Sequence, residues 1–304
     1  MNAVTTALIT LSYEGARLLA PLSAALPGAR LYIHESVRDE SFRGVSGQSG
    51  IIRHGATHPE SSRIESVRNT SIGEAPEAER FARIADLTAS LFPVCKGLVY
   101  AAPCGVVVRA VAPLIRNKYE DPAVVVLDAG GRWAVSLLSG HEGGANALAI
   151  RVANILGAEP VITTTTEALK SVIVGIGCRR GTPTERIVAA VQSALADAGI
   201  TLDEVRFLAS ADVKADEAGL LAAAEVLGVP IRFIAAAEIR TSSREFAHSE
   251  FVEEKVNLPA VAEPGALLAG RRTQFICRKK KISGITIALA REGFSWSESD
   301  PEVR

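Results

Sequence analysis

Short apolar runs rich in Val, Ile and Leu alternate along nearly the whole chain with stretches whose apolar residues recur at helical spacing. That alternation constrains the fold more than any other feature. A strand apolar on both sides must be covered on both faces, and the helix that follows it supplies the cover, as in βαβ units of a largely parallel sheet. The pattern predicts strands at Val4–Thr10 and Leu31–His34, with a helix over Glu14–Ala25 that ends before Pro27-Gly28. It predicts a helix over Ala78–Phe92, a buried strand at Gly97–Ala102 and a helix over Val106–Ile115. Strands at Ala123–Leu127 and Trp133–Leu137 flank the turn Asp128-Ala129-Gly130-Gly131. A helix over Gly144–Leu156, closed by Gly157, leads to a last strand at Val161–Thr164.

A second series begins near Ser171. Val172–Gly175 is a strand, and Thr182-Pro183-Thr184-Glu185 starts a helix with proline at its first position and an acid in the first turn. A strand at Val205–Ala209, a helix at Asp216–Leu227 and a strand at Ile231–Ile234 follow, then short helices around Glu250–Lys255 and Pro264–Ala269. Phe275–Arg278 and Ile285–Ala290 read as closing strands. The fold class expected is α/β in two domains: a flavodoxin- or Rossmann-like domain over 1–167, a join at 168–171, and a smaller α/β domain over 172–304. So short a join leads us to expect a cleft shared by the two domains.

Composition narrows function. The formal net charge is -1, whereas a general nucleic-acid binder carries a basic excess. No apolar run is long enough to cross a bilayer, and Met1–Thr10 lacks a basic region and cleavage site, so it reads as a first strand. The cysteines at 95, 104, 178 and 277 form no C-x-x-C pair, which points away from a disulfide framework or a zinc site and towards the reducing cytoplasm.

Ligands of parallel sheets sit beyond the carboxyl ends of the strands, where loops carry free N–H groups into helix starts. Three segments answer to that. One is Ala101-Ala102-Pro103-Cys104-Gly105, with Arg109 a turn further on; Cys104 has no histidine close by in sequence and reads as a small apolar residue. Another is Ser139-Gly140-His141-Glu142-Gly143-Gly144-Ala145-Asn146. Its glycines allow close backbone approach, and His141 with Glu142 could carry protons, although a tight strand-to-helix turn explains the same residues. The third is Gly175-Ile176-Gly177-Cys178-Arg179-Arg180-Gly181, whose paired arginines suit a carboxylate or phosphate but whose spacing is not G-x-G-x-x-G. Asp128 is a further acid/base candidate or a turn residue, Thr164 lies in a hydroxyl-rich run, and Lys214 to Glu217 form a helix start. Ser36–Ala75 has little periodicity; its Arg38, Arg43, Arg53, Arg63, His54 and His58 would suit a lid over an anion, and simple disorder accounts for it as well.

The blocks Gly105-Val-Val-Val-Arg109-Ala-Val-Ala-Pro113, Asp121-Pro-Ala-Val-Val-Val-Leu-Asp128, Ser136-Leu-Leu-Ser-Gly-His-Glu-Gly-Gly-Ala-Asn146 and Gly157-Ala-Glu-Pro-Val-Ile-Thr-Thr164 resemble, in order and spacing, the N-terminal domain of the CbiG family of cobalamin biosynthesis, the cobalt-precorrin-5A hydrolases. Val174-Gly-Ile-Gly-Cys-Arg-Arg-Gly-Thr182, Lys214-Ala-Asp-Glu217, Ser249-Glu-Phe-Val252 and Val261-Ala-Glu263-Pro264 resemble its C-terminal domain, which is also similar to a small corrinoid protein of the aerobic route. The chain departs from the pattern in joining the two regions directly through Glu167–Ser171, where many members carry a middle domain, and in Ser36–Ala75.

The resemblance implies opening of the ring A δ-lactone of cobalt-precorrin-5A and loss of a two-carbon fragment as acetaldehyde. For that reaction the residues themselves offer His141, Glu142 or Asp128 as proton carriers. Gly105, Arg109, Ser139, Gly140, Gly143, Gly144, Asn146, Thr164, Gly177, Arg179, Arg180, Lys214, Glu217 and Glu263 would be substrate contacts. The expected partner is a cobalt corrinoid, with pathway methyltransferases and a second copy of the chain as further candidates. Cobalt comes inside the substrate, so no cofactor or metal site is expected. A non-catalytic corrinoid carrier is the alternative.

Overall fold

The computed structural model describes residues 5–37, 78–246 and 258–293. The 38–77 stretch, which holds nearly all of the proposed lid, and the helix expected around Glu250–Lys255 lie outside the described residues. The chain divides into two compact units, 1–162 and 163–304.

The first unit contains β1 (Thr6–Thr10), α1 (Tyr13–Ala25), β2 (Ala29–His34), β3 (Ala78–Phe81), α2 (Ile84–Leu91), β4 (Gly97–Ala101) and α3 (Cys104–Val111), then β5 (Ala123–Leu127), β6 (Trp133–Leu138), α4 (Ala145–Leu156) and β7 (Glu159–Val161). The strands lie in the order β3-β2-β1-β4-β5-β6-β7. The first five are parallel and follow a doubly wound arrangement. Their continuous apolar runs are explained by burial on both faces. Leu8, Leu31, Val99 and Val125 pack with α1 and α4, whereas Ile9, Leu98, Tyr100 and Val124 pack with α2 and α3. Tyr100 is fully buried, donates or accepts at Thr88 Oγ1 (3.0 Å), and burial pushes its phenol up to about 12, so it stays neutral.

Two expectations are corrected here, and a strand direction that the sequence pattern left open is added. Ala78–Phe92 is not one helix: Ala78–Phe81 pairs in parallel with β2 as an edge strand, a tertiary contact that local spacing does not reveal. The last strand ends at Val161, and Thr164 instead precedes a one-turn helix, α5 (Thr165–Ala168). Most consequentially, β6 runs antiparallel to β5, because the five residues between them can close a hairpin but cannot make a crossover. β7 is parallel to β6, so the last two strands are both reversed.

The second unit begins at α5 and contains β8 (Val172–Gly177), α6 (Thr184–Asp197), β9 (Val205–Ala211), α7 (Ala218–Leu227), β10 (Ile231–Ile234), α8 (Ala236–Thr241), α9 (Ala262–Leu268) and the hairpin β11 (Gln274–Ile282) and β12 (Ile285–Arg291). Its sheet is ordered β10-β9-β8-β12-β11, parallel from β8 to β10 and antiparallel through the hairpin. α6 and α7 cover one face over Val174, Ile176 and Leu208. α9 lies on the other, so close that a Cβ on Gly175 would stand 1.9 Å from the Ala262 carbonyl oxygen.

Candidate functional site

The reversed strand decides which candidates can meet. β4, β5 and the start of β6 share one edge of the first sheet, since Ala101, Leu127 and Ala134 are in register. Gly105, Arg109 and the Asp128 turn belong to that edge. The Ser139–Gly144 turn leaves the far end of β6, about 20 Å away at about 3.4 Å per residue. It does extend from the carboxyl end of its own strand, but not from the carboxyl edge of the parallel sheet. Asp128 and His141 therefore do not form one proton-transfer pair within this unit.

At the carboxyl edge the polar groups are turned onto their own backbone. Asp128 Oδ1 accepts from the N–H groups of Arg132 (2.7 Å) and Trp133 (2.8 Å), and Oδ2 from Gly130 N–H (3.2 Å) and Arg132 Nε (3.3 Å). Such a carboxylate locks a hairpin turn. Arg109 Nη1 donates to the Gly105 carbonyl at 2.9 Å, and Cys104 and Gly105 are exposed at the start of α3.

The opposite edge is built more tightly. Ser139 takes a left-handed conformation (φ 58°), is 7 % exposed, and its Oγ is buried without a hydrogen-bond partner among the described residues. A Cβ on Gly143 would fall 2.3 Å from Ser139 Cβ and 3.1 Å from the Asp121 carbonyl, while Gly144 needs glycine for its φ of 83°. The Ser139 and Gly140 carbonyls accept the first N–H groups of α4, from Ala145 (3.1 Å) and Asn146 (2.9 Å). The Gly143 N–H donates to no backbone carbonyl among the described residues. The Asn146 side chain is buried and its Oδ1 accepts from Ser136 Oγ at 2.8 Å, so it braces α4 against β6. His141 and Glu142 are exposed at the tip.

Sequence reasoning missed the neighbour of this tip. The loop after α3 is folded on itself: the Asp121 carboxylate accepts Arg116 N–H at 3.0 and 3.1 Å, and Asn117 Oδ1 accepts Tyr119 and Glu120 N–H at 3.0 and 3.1 Å. This puts Lys118 against Glu142, to which its ammonium donates. The contact holds the Glu142 carboxyl below its ordinary value and Lys118 above its own. Asn117 and Asp121 are recognisable turn formers, but nothing in the sequence marks a pair 24 residues apart.

In the second unit the structure brings Gly177, Arg179, Arg180, Lys214 and Glu217 to the carboxyl ends of β8 and β9. Glu217 is buried at the start of α7; Oε1 accepts Gly181 N–H at 2.7 Å and Oε2 stands 3.9 Å from Lys214 Nζ. Arg180 binds Asp216 through both terminal nitrogens (2.8 and 3.2 Å), which holds the Asp216 carboxyl below its ordinary value. Burial, reinforced by Glu217 and opposed by Lys214 and Thr182, pushes the Cys178 thiol up. Glu263 stands apart: it is 1 % exposed inside α9 and accepts the Lys279 N–H at 3.1 Å, tying that helix to β11. Thr164 accepts the Glu167 and Ala168 N–H groups through its carbonyl and caps α5. Among the described residues no cluster of His, Cys, Asp and Glu could hold a metal ion, and no helix is long and apolar enough to cross a membrane.

These features define a two-unit α/β protein, its first unit doubly wound, whose glycine-rich turns carry the polar groups at strand ends. Comparison with known proteins gives the particular family. Residues 86–167 match the family model described as Cobalamin synthesis G N-terminal, and residues 172–290 match Cobalamin synthesis G C-terminus, together about two thirds of the chain. The chain belongs to this CbiG family. It is 51 % identical over 76 residues to the cobalt-precorrin-5A hydrolase of Salmonella typhimurium (25 % of this chain, 22 % of that one). With the cobalt-precorrin-5A hydrolase of Priestia megaterium it is 47 % identical over 94 residues (31 % and 25 %). The matches thus span about a quarter of each hydrolase's length. Protein CobE of Sinorhizobium sp is 39 % identical over 128 residues, 41 % of this chain and 83 % of that protein.

Proposed function

We propose that the chain hydrolyses cobalt-precorrin-5A, opening the ring A δ-lactone and releasing acetaldehyde. One observation carries this reading: both halves of the CbiG family occur in one chain, beside relatives named for that reaction. Cobalt arrives in the substrate. The cytoplasm is the compartment we assign, in keeping with four free cysteines, and the pathway methyltransferases are the proteins that would deliver and receive the corrinoid.

The turn at the end of β6 supports a division of labour. His141 is the base that takes a proton from the attacking water, since an imidazole both accepts and returns protons near neutral pH. Glu142 is the poorer base, because a carboxylate is already charged and weakly basic at neutral pH, and Lys118 stabilises that form before substrate arrives. Water adds to the lactone carbonyl, and the N–H groups of Gly143 and Gly144 receive the negative oxygen, a role worth about 3–4 kcal/mol per donor. The ring C–O bond then breaks to a carboxylate and a hydroxyl. Loss of the hydroxyl proton to His141 lets the C–C bond to the two-carbon fragment break; the fragment leaves as acetaldehyde, and its bonding pair stays on the macrocycle.

Anaerobic incubation with cobalt-precorrin-5A tests the reading. The wild type should release acetaldehyde with the matching loss of mass, and His141→Ala should slow release by at least about 100-fold. Binding without loss of mass would make the chain a carrier, and a wild-type rate in His141→Ala would remove His141 from the chemistry.

A further inference from the structure

The Lys118–Glu142 pair is cross-loop, exposed, and placed directly beside the turn whose Gly143 N–H donates to no backbone carbonyl among the described residues. Lys118 is not a tether that the fold needs. The loop that carries it is already closed by Asp121 and Asn117, and the side chains of Lys118 and Glu142 are 59 % and 30 % exposed. An exposed ion pair of this kind shifts an equilibrium by about fivefold at most. A competing carboxylate can therefore take the place of Glu142 at little cost.

We propose that Lys118 is a carboxylate-binding residue of this site, with Glu142 as the placeholder that an incoming carboxylate displaces. The rigid loop fixes where the ammonium stands, and the Tyr119 ring 5.1 Å from Nζ adds a second favourable contact with the cation. The N–H groups of Gly143 and Gly144 and the Lys118 ammonium then offer a two-point anion surface: the backbone for the reacting oxygen, the lysine for a peripheral acetate or propionate. The ligand class is a macrocycle with several free side-chain carboxylates. This inference rests on the hydrolase reading for its substrate, but not for its measurement.

The test is equilibrium binding of cobyrinic acid, a cobalt corrinoid with free carboxylates and no lactone to open, followed by its visible absorbance. Lys118→Ala should weaken binding by up to about fivefold and lower its salt dependence, and Lys118→Arg should restore affinity to within about 1.5-fold. Glu142→Gln frees the ammonium and should tighten binding by up to about fivefold. Unchanged affinity in Lys118→Ala, weaker binding in Glu142→Gln, or no binding by the wild type would overturn the inference. The expected pattern in a protein that releases no acetaldehyde from cobalt-precorrin-5A would remove the hydrolase reading and leave Lys118 in its role.

Discussion

The adjacent glycines at the end of β6 should respond to the same substitution for different reasons. At Gly143 the obstacle is space. A methyl group there would sit 2.3 Å from Ser139 Cβ, with the Ser139 and Asp121 carbonyl oxygens at 3.0 and 3.1 Å. Carbon atoms rest about 3.5–4.0 Å apart, so something must move by more than about 1 Å. Ser139 cannot yield easily, being buried in a left-handed conformation, and Asp121 is held by its bonds to Arg116. Overpacking of this kind costs about 1–3 kcal/mol, and the close approach to main chain on two sides puts Gly143→Ala at the upper end. At Gly144 the obstacle is conformation alone: φ is 83° and nothing lies within 4 Å of the missing Cβ. Gly144→Ala should cost about 1–2 kcal/mol, and Gly144→Asn less, because asparagine tolerates that region. Urea unfolding in a Trp296→Phe background, with Trp133 of β6 as reporter, measures both. The midpoint should fall further for Gly143→Ala at unchanged slope. Acetaldehyde release should fall about 100-fold in Gly143→Ala, where the N–H pair is displaced, and less than about tenfold in Gly144→Ala. Equal or reversed costs would refute the packing argument.

Two further outcomes follow from the ion pairs and the hairpin. Asp128→Ala should lower stability by roughly 1–3 kcal/mol, since backbone donors lose their acceptor, while leaving acetaldehyde release within about twofold; thermal unfolding beside the activity assay checks this. The folded Asp216 carboxyl lies below its ordinary value because of Arg180, so the pair's contribution is present above the unfolded aspartate value of about 3.9 and is lost as pH falls through the folded value. The stability difference between wild type and Asp216→Asn should accordingly shrink between pH 5 and pH 2, as read by urea midpoints, and a difference constant over that window would contradict the assignment.

The elements themselves were legible because burial on both faces writes continuous apolar runs into the strands. β1, β4, β5 and β8 all announced themselves this way, and α4 was bounded by glycine at both ends. β3 was not legible: Ala78-Glu79-Arg80-Phe81 buries only Phe81, and its strand character comes from pairing with β2. The Glu263 carboxylate accepts the Lys279 N–H, a contact set by tertiary packing that no local pattern in the sequence marks.

The direction of β6 lay between these cases. Asp128-Ala129-Gly130-Gly131 between two apolar runs is a hairpin signal, and five connecting residues cannot return a chain to the same edge of a sheet. Taking that constraint seriously separates what a uniform βα alternation would merge. The Asp128 turn and the start of α3 stay on the carboxyl edge, and the Ser139–Gly144 turn moves to the other, against the Asn117–Asp121 loop. It is this relocation that exposes Lys118 as a neighbour of Glu142. The same reversal removes Asp128 from the turn, and this is the geometric ground on which we propose His141 as its proton carrier.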